Sequence, residues 1–166
     1  MGIFEWLNTP SFFYHTKTTS MKYLLSISLL LLFFQGTAQY KTDSVAIVNL
    51  LKDDYKTMGT WNIEQHIKNC TTNYLLIEEG EVWDMQKESK YYKTNSHRKI
   101  NRKDYFDIKH VRIYGNTAYA VYSLKSDISE NGQLTIRNWK ESAIFRKLNG
   151  RWLIELIHST PVSTAQ

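Results

Sequence analysis

The spacing of apolar residues changes along the chain, and each change marks an element. Thr42 or Asp43 can cap a helix, and Ile47, Leu50, Leu51, Tyr55 and Met58 then share one helical face until Gly59. Asn62, with Gln65 three residues on in a capping-box arrangement, predicts a short second helix to about Asn69. Asn73 to Ile77 is rich in strand formers, Glu79-Gly80 turns the chain, and Glu81-Val82-Trp83 reads as a second short strand. Asp84 can cap a third helix over Met85 to Tyr92. From about Tyr105 the pattern is strand after strand. Phe106–Tyr114 meets Thr117–Ser126 through Gly115-Asn116, and a looser loop, Asp127 to Gly132, leads into Gln133–Lys147. Asn149-Gly150 then turns the chain into a last strand, Arg151–Thr160. Helices first and antiparallel strands afterwards predict an α+β domain whose sheet buries one face against the helices.

The Asn149-Gly150 turn sets a register. A two-residue loop pairs Leu148 with Arg151, and then Phe145 with Ile154, Ala143 with Leu156, Glu141 with His158 and Trp139 with Thr160. Strand parity puts all of these on the face of Trp152. The opposite face carries Lys140, Ser142, Arg146, Glu155 and Ser159, with Ile144, Leu153 and Ile157 interspersed. The Trp152 face is apolar near the turn and ends in Trp139, Glu141, His158 and Thr160, the layout of a pocket. Directly opposed side chains have Cβ atoms about 5 Å apart. A Glu141–His158 pair at that range would raise the histidine pKa, which makes the two the candidate acid/base residues. In the Gly115-Asn116 hairpin the same counting opposes Ile113 with Ala118, Val111 with Ala120 and Lys109 with Tyr122. That leaves Tyr122 on an otherwise apolar face.

The N-terminal part reads as a targeting segment. Lys22 precedes the apolar run Leu24–Phe34, and Gly36-Thr37-Ala38 places small residues before an expected cleavage at Ala38–Gln39. The run is too short to span a bilayer, which needs roughly 20 apolar residues, so no stable membrane anchor is expected after cleavage. Residues 21–38 are thus the signal segment, and residues 1–20, upstream of Met21-Lys22, an upstream mis-start. The expected location is the periplasm or the outside of a bacterial cell.

The 166 residues suit one domain, placed here at 42–162. From Gln39 on, Lys and Arg exceed Asp and Glu by only a few residues, and the charges are scattered. The one basic cluster, Arg98, Lys99, Arg102 and Lys103, is followed at once by Asp104 and Asp107. It reads as a solvated loop beside a strand, and no nucleic-acid partner is expected. Glu78, Glu79 and Glu81 read as a solvated turn. The histidines, His15, His66, His97, His110 and His158, form no short-spaced pair, and Cys70 is the only cysteine, so no metal site is expected. No phosphate-binding glycine motif occurs and no cofactor is expected. Ser142 lacks a nucleophile elbow and, like Cys70, reads as structural.

Two stretches carry a family resemblance. The first is Trp61 followed by Tyr74-Leu75-Leu76-Ile77-Glu78-Glu79-Gly80-Glu81-Val82-Trp83. The second is Trp139-Lys140-Glu141-Ser142-Ala143-Ile144-Phe145-Arg146-Lys147, Asn149-Gly150-Arg151-Trp152 and Ile157-His158-Ser159-Thr160-Pro161. Together they resemble SnoaL-like and DUF4440-like domains of the NTF2-like superfamily, from Asp43 to Val162. The resemblance implies an α+β, cystatin-like cone in which N-terminal helices pack in a strongly bent antiparallel sheet around a cavity. It implies that Trp139, Glu141 and His158 face that cavity. Tyr122, Trp61, Tyr55, Tyr74 and Trp83 are the candidate ligand-binding walls. It also implies a homodimer through the outer sheet face. Members include ketosteroid isomerase, scytalone dehydratase, limonene epoxide hydrolase and the SnoaL cyclases, alongside binding modules. The isomerase set of a Tyr, a protonated Asp and an Asp base has no counterpart here beyond Asp53 and Asp54 on the first helix. The expected function is binding of a small, partly apolar molecule. The alternatives are an isomerase, dehydratase or hydrolase built on His158 and Glu141, and a dimeric interaction module.

Overall fold

The computed structural model describes residues 19–163, of which 19–38 by backbone alone. The chain divides into two units, residues 1–38 and 39–166, and the architecture below belongs to the second. The expected upstream segment and the side chains of the expected signal segment lie outside the described residues.

Helix α1 (Thr19–Thr60) is followed by α2 (Ile63–Asn69), β1 (Cys70–Glu78), β2 (Glu81–Asp84), α3 (Met85–Asn95), β3 (Ile100–Tyr114), β4 (Thr117–Glu130), β5 (Gln133–Leu148) and β6 (Arg151–Pro161). The six strands form one curved, unclosed sheet in the order β2-β1-β6-β5-β4-β3. Neighbours are antiparallel except β1 and β6, which run parallel, so the sheet is mixed. Ile47, Leu51 and Tyr55 of α1 share one buried core with Ala118, Ala120, Ala143, Phe145, Trp152 and Ile154 of the sheet. Fully burying a side chain such as Phe145 or Ile154 contributes about 1.5–3 kcal/mol.

The helix ends differ from their sequence signals for local reasons. Asp43 does not cap α1, which is already helical before it. Its carboxylate instead accepts hydrogen bonds from Lys147 Nζ (2.7 Å) and Trp152 Nε1 (2.9 Å), tying the helix to the closing hairpin. Gly59 does not end α1 either. The left-handed position falls on Trp61, with φ of 54°, and Asn62 N–H closes back on Thr57 O at 3.0 Å. A bulky residue rarely sits there. It is held by its indole N–H, which donates to Arg98 O at 2.9 Å. Asn62 caps α2 by accepting from Gln65 N–H, and Asp84 caps α3 by accepting from Lys87 N–H.

The turns follow the glycines. Glu79-Gly80, Asn131-Gly132 and Asn149-Gly150 each have positive φ at both residues, the mirror-image turn that matches strand twist. The middle one corrects an expectation. Asp127–Glu130 is strand, not loop, and pairs across Asn131-Gly132 with Gln133–Ile136. The basic cluster is corrected in part, since β3 already starts at Ile100 and takes in Arg102 and Lys103, while Arg98 and Lys99 stay in the connection before it.

Two bulges decide which side chains face inward. In the last hairpin Phe145 pairs with Ile154 as expected, but Ile144 pairs with Leu156, leaving Glu155 as an extra residue on β6. From there the register slips by one. Ala143 meets Ile157, Glu141 meets Ser159, Ser142 meets His158, and Trp139 meets Pro161. Ile157 and Ser159 therefore point inward and are buried, while Leu156 and His158 turn outward. Apolar alternation could not detect this, because Leu156 and Ile157 are equally able to cover Ala143. Glu155 is fixed on the outer face by a two-bond ion pair with Arg146, at 2.8 and 3.0 Å. On β3 the extra residue is Lys109, so Tyr122 opposes Ile108 instead. Such bulges bend a sheet and raise its twist, which curls this one around the helices.

Candidate functional site

A cavity of about 560 Å³ is lined by all three helices and by the inner face of every strand. Tyr55, Trp61, Tyr74, Trp83, Trp139 and Glu141, all named from the sequence, line it. Tyr122 lies behind the wall, fully buried, with its hydroxyl 3.5 Å from that of Tyr55. His158 is exposed on the outer face and is not at the cavity at all. The expected Glu141–His158 pair does not exist, because the Glu155 bulge puts Ser159 beside Glu141 and sends His158 to the other side.

Glu141 sits in a row that crosses the sheet. Tyr122 is its partner on β4 and Ser159 its partner on β6, and Glu78 of β1 follows next to Ser159. Tyr55 comes down from α1 and donates to Glu141 Oε2 at 2.6 Å, while Ser159 donates to Oε1 at 2.7 Å. Burial pushes the carboxyl up, and these hydrogen bonds only partly offset that, so it lies above its ordinary range. Burial first, and then the Glu141 charge, also push the hydroxyls of Tyr55 and Tyr122 well above theirs, so both act as donors.

A second cluster lies deeper. His66 of α2 is 1% exposed. Its Nδ1 is 2.9 Å from Asp54 Oδ1, and its Nε2 is 3.4 Å from Glu88 Oε2. The ring stacks on Tyr92 at 5.5 Å and receives the edge of Tyr74 at 5.2 Å. Burial alone would lower the imidazole pKa, but its contacts with Asp54, Cys70 and Glu88 outweigh burial and hold it far above the ordinary value. Asp54, His66 and Cys70 bring three metal-type ligand atoms within 4.8 Å, a constellation the sequence spacing did not reveal. Both ring nitrogens already face carboxylates, however, and burial pushes the Cys70 thiol up to about 12. Asp54, His66 and Glu88 therefore form a buried ion cluster, with the Cys70 thiol beside it.

Arginines complete the walls. Arg98 grips Glu130 with two bonds, at 2.9 and 2.6 Å, and lies 5.8 Å over the Trp61 ring. Arg102 pairs with Asp104 at 2.9 Å and lies 5.7 and 5.9 Å from the rings of Tyr55 and Trp139. Neither is merely solvated: Arg98 stands in the connection before β3 and Arg102 within the strand, both half-buried. The signal lay in alternation, since Ile100, Arg102, Asp104 and Phe106 share one parity and all are at least half-buried. Glu78, Glu79 and Glu81, expected in a solvated turn, all line the cavity; Glu78 is half-buried there, and Glu79 and Glu81 are exposed at its rim.

No family model and no curated protein matches the sequence. Solved structures do resemble this one. An NTF2-like superfamily protein from Salmonella enterica serovar Typhimurium has a TM-score of 0.63 at 16% identity, over 78% of this chain and 96% of its own. The association domain of C. elegans CaMKII has a TM-score of 0.61 at 20% identity, over 72% and 96%. A ketosteroid isomerase-like protein from Erwinia carotovora atroseptica has a TM-score of 0.59 at 16% identity, over 72% and 96%. Likeness at such identities is a likeness of fold, and a fold does not fix a function. With its helices held in a curved six-stranded sheet around a cavity, the chain has the α+β cone of the NTF2-like fold.

Proposed function

We propose that this domain is exported and binds a small, partly apolar molecule in the cone cavity. The observation that carries the reading is the cavity itself. About 560 Å³ lies within the range of small-molecule sites, and its aromatic walls close on a buried carboxylate held by two hydroxyls. Tyr55, Trp61, Tyr74, Trp83 and Trp139 supply apolar contact, and Glu141 gives the ligand one fixed polar direction. Export rests on the signal-like segment 21–38, with cleavage between Ala38 and Gln39. The finer assignment to the SnoaL-like or DUF4440-like branch rests on the closing-hairpin residues of the sequence.

Self-association through the outer sheet face is the second part of the proposal. Tyr119, Ile144, Leu156 and Leu75 form one row across four strands, and three of them are 37–39% exposed. Leu156 replaces Ile157 in the expected interface, because the bulge buries Ile157. Apolar residues contiguous across a sheet mark an interaction surface, and the names of several similar folds describe association or hub domains.

Native mass spectrometry of the protein recovered from the envelope or medium of its producing cell tests all three parts at once. A chain starting at Gln39, a dimer, and an added mass of a few hundred daltons that dissociates on activation are expected. A chain retaining residues 1–38 contradicts export. A monomer contradicts the interface. A protein that takes up no small molecule from any cellular extract contradicts the binding role.

A further inference from the structure

The charges that line the cavity do not balance, and the imbalance indicates what the cavity takes. Four of the lining carboxylates face a cation. Asp54 faces His66, Glu130 is gripped by Arg98, and Glu81 is paired with Lys87. Glu88 also faces His66, at 3.4 Å. Glu78, Glu79 and Glu141 differ, because among the described residues none has an ion-pair partner; Glu79 is exposed, which leaves Glu78 and Glu141 as the two that burial shields from water. Glu141 is bonded to the neutral hydroxyls of Tyr55 and Ser159, with the Tyr122 hydroxyl beside it. Arg102 faces both, and it is committed to Asp104 and to the Ser126 hydroxyl at 3.1 Å. Arg137 is exposed.

The two shielded carboxylates stand on one row. Ser159 of β6 is the register partner of Glu141 on β5 and of Glu78 on β1. The two glutamates are therefore two strands apart, about 10 Å at the backbone, and both line the cavity. Aromatic rings of Tyr55, Tyr74, Trp83 and Trp139 line the same cavity. Desolvated carboxylates that lack a counter-charge are costly, and aromatic faces attract cations.

We infer that the cavity takes an organic cation, an amine carrying an apolar or aromatic body, with its ammonium group between Glu78 and Glu141 and its body against Trp139 and Tyr55. The inference rests on the cavity being a ligand site. It accounts for the mixture of aromatic walls and unpaired acids, which a neutral or anionic ligand would leave uncompensated. Burial and the neighbouring charge of Glu141, with Glu79 and Glu88 beyond it, raise the Glu78 carboxyl, and burial raises Glu141. Tyr122 faces Glu141 from β4 and Arg102 faces both from β3. A bound cation favours the ionised acids, so its affinity should fall on acidification.

Calorimetric titration of the purified protein at pH 7.5 with three probes tests this: phenethylammonium, neutral 3-phenylpropanol and anionic 3-phenylpropionate. The cation should bind at least about tenfold tighter than either of the others, as expected for a desolvated charge pair. Glu78→Gln and Glu141→Gln should each weaken it by about tenfold, weaken 3-phenylpropanol far less, and flatten the fall in affinity between pH 7.5 and 5. Glu78 is only partly buried and its carboxylate has no hydrogen-bond partner among the described residues, so its variant separates binding from folding. Tighter binding of the alcohol or the acid overturns the cation and keeps the cavity as a ligand site. So does cation affinity that survives both substitutions. No heat from any of the three overturns the cation and also counts against the cavity.

Discussion

Replacing His66 with Leu is expected to destabilise the fold by about 3–5 kcal/mol, the cost of removing one partner from a buried ion cluster. The side chain is buried with Asp54 on one ring nitrogen and Glu88 near the other. Without the imidazolium, two carboxylates from α1 and α3 are left facing one another, and Asp54 retains only the Asn69 amide, at 3.0 Å. Urea unfolding monitored by circular dichroism reads the loss directly. Charge and packing can be separated by adding Asp54→Asn and Glu88→Gln to His66→Leu. If charge is the cause, the triple variant regains most of the lost stability, because uncharged groups of the same shape demand no counter-ion. A triple variant no more stable than His66→Leu would show that the stacking on Tyr92 matters more than the charges.

The second large effect is on pH. His66, Glu78 and Glu141 all have pKa values raised by folding. Each therefore binds its proton more tightly in the fold. Its contribution is complete below the unfolded pKa and is lost as pH rises toward the folded one. For the two glutamates the loss starts near 4.5, and for His66 near 6.5. Above that point His66 alone removes about 1.4 kcal/mol per pH unit. Asp43 and Glu155 act in the opposite sense. Hydrogen bonds from Lys147 and Trp152 outweigh burial at Asp43, and Arg146 holds Glu155 down. Their contributions are present above about 4 and lost on further acidification. Melting temperature should therefore peak between about pH 4.5 and 6.5 and fall by several degrees by pH 8. A melting temperature flat from pH 5 to 8 would contradict the raised values, and His66→Leu should abolish the part of the fall above pH 6.5.

The fold was legible because its signals are local. Helical spacing over Ile47–Met58, the caps Asn62 and Asp84, and the glycine turns name every element of the second unit. The Asn131-Gly132 turn was missed because Asp127–Glu130 is polar on both faces, which hides the alternation that defines a strand. The site was legible only in part. Tyr55, Trp61, Tyr74, Trp83, Trp139 and Glu141 follow from apolar patterning, turn register and family resemblance. His158 does not, because a single extra residue at Glu155 reverses every side chain beyond it. The bulge is fixed by Arg146, a contact between strands that no periodicity records. The His66 cluster brings together α1, α2, β1 and α3, so only tertiary packing could disclose it.

Assignment of the four tryptophan indole N–H resonances of the second unit, followed during titration with the same three probes, tests the cavity as the functional site most directly. Trp61, Trp83 and Trp139 line the cavity, whereas Trp152 is buried in the core with its N–H on Asp43. The account predicts saturable shifts of the first three with at least one probe, the cation above all, while Trp152 stays in place. Cavity indoles that stay fixed with every probe at millimolar concentration, or four indoles that drift together, would contradict it.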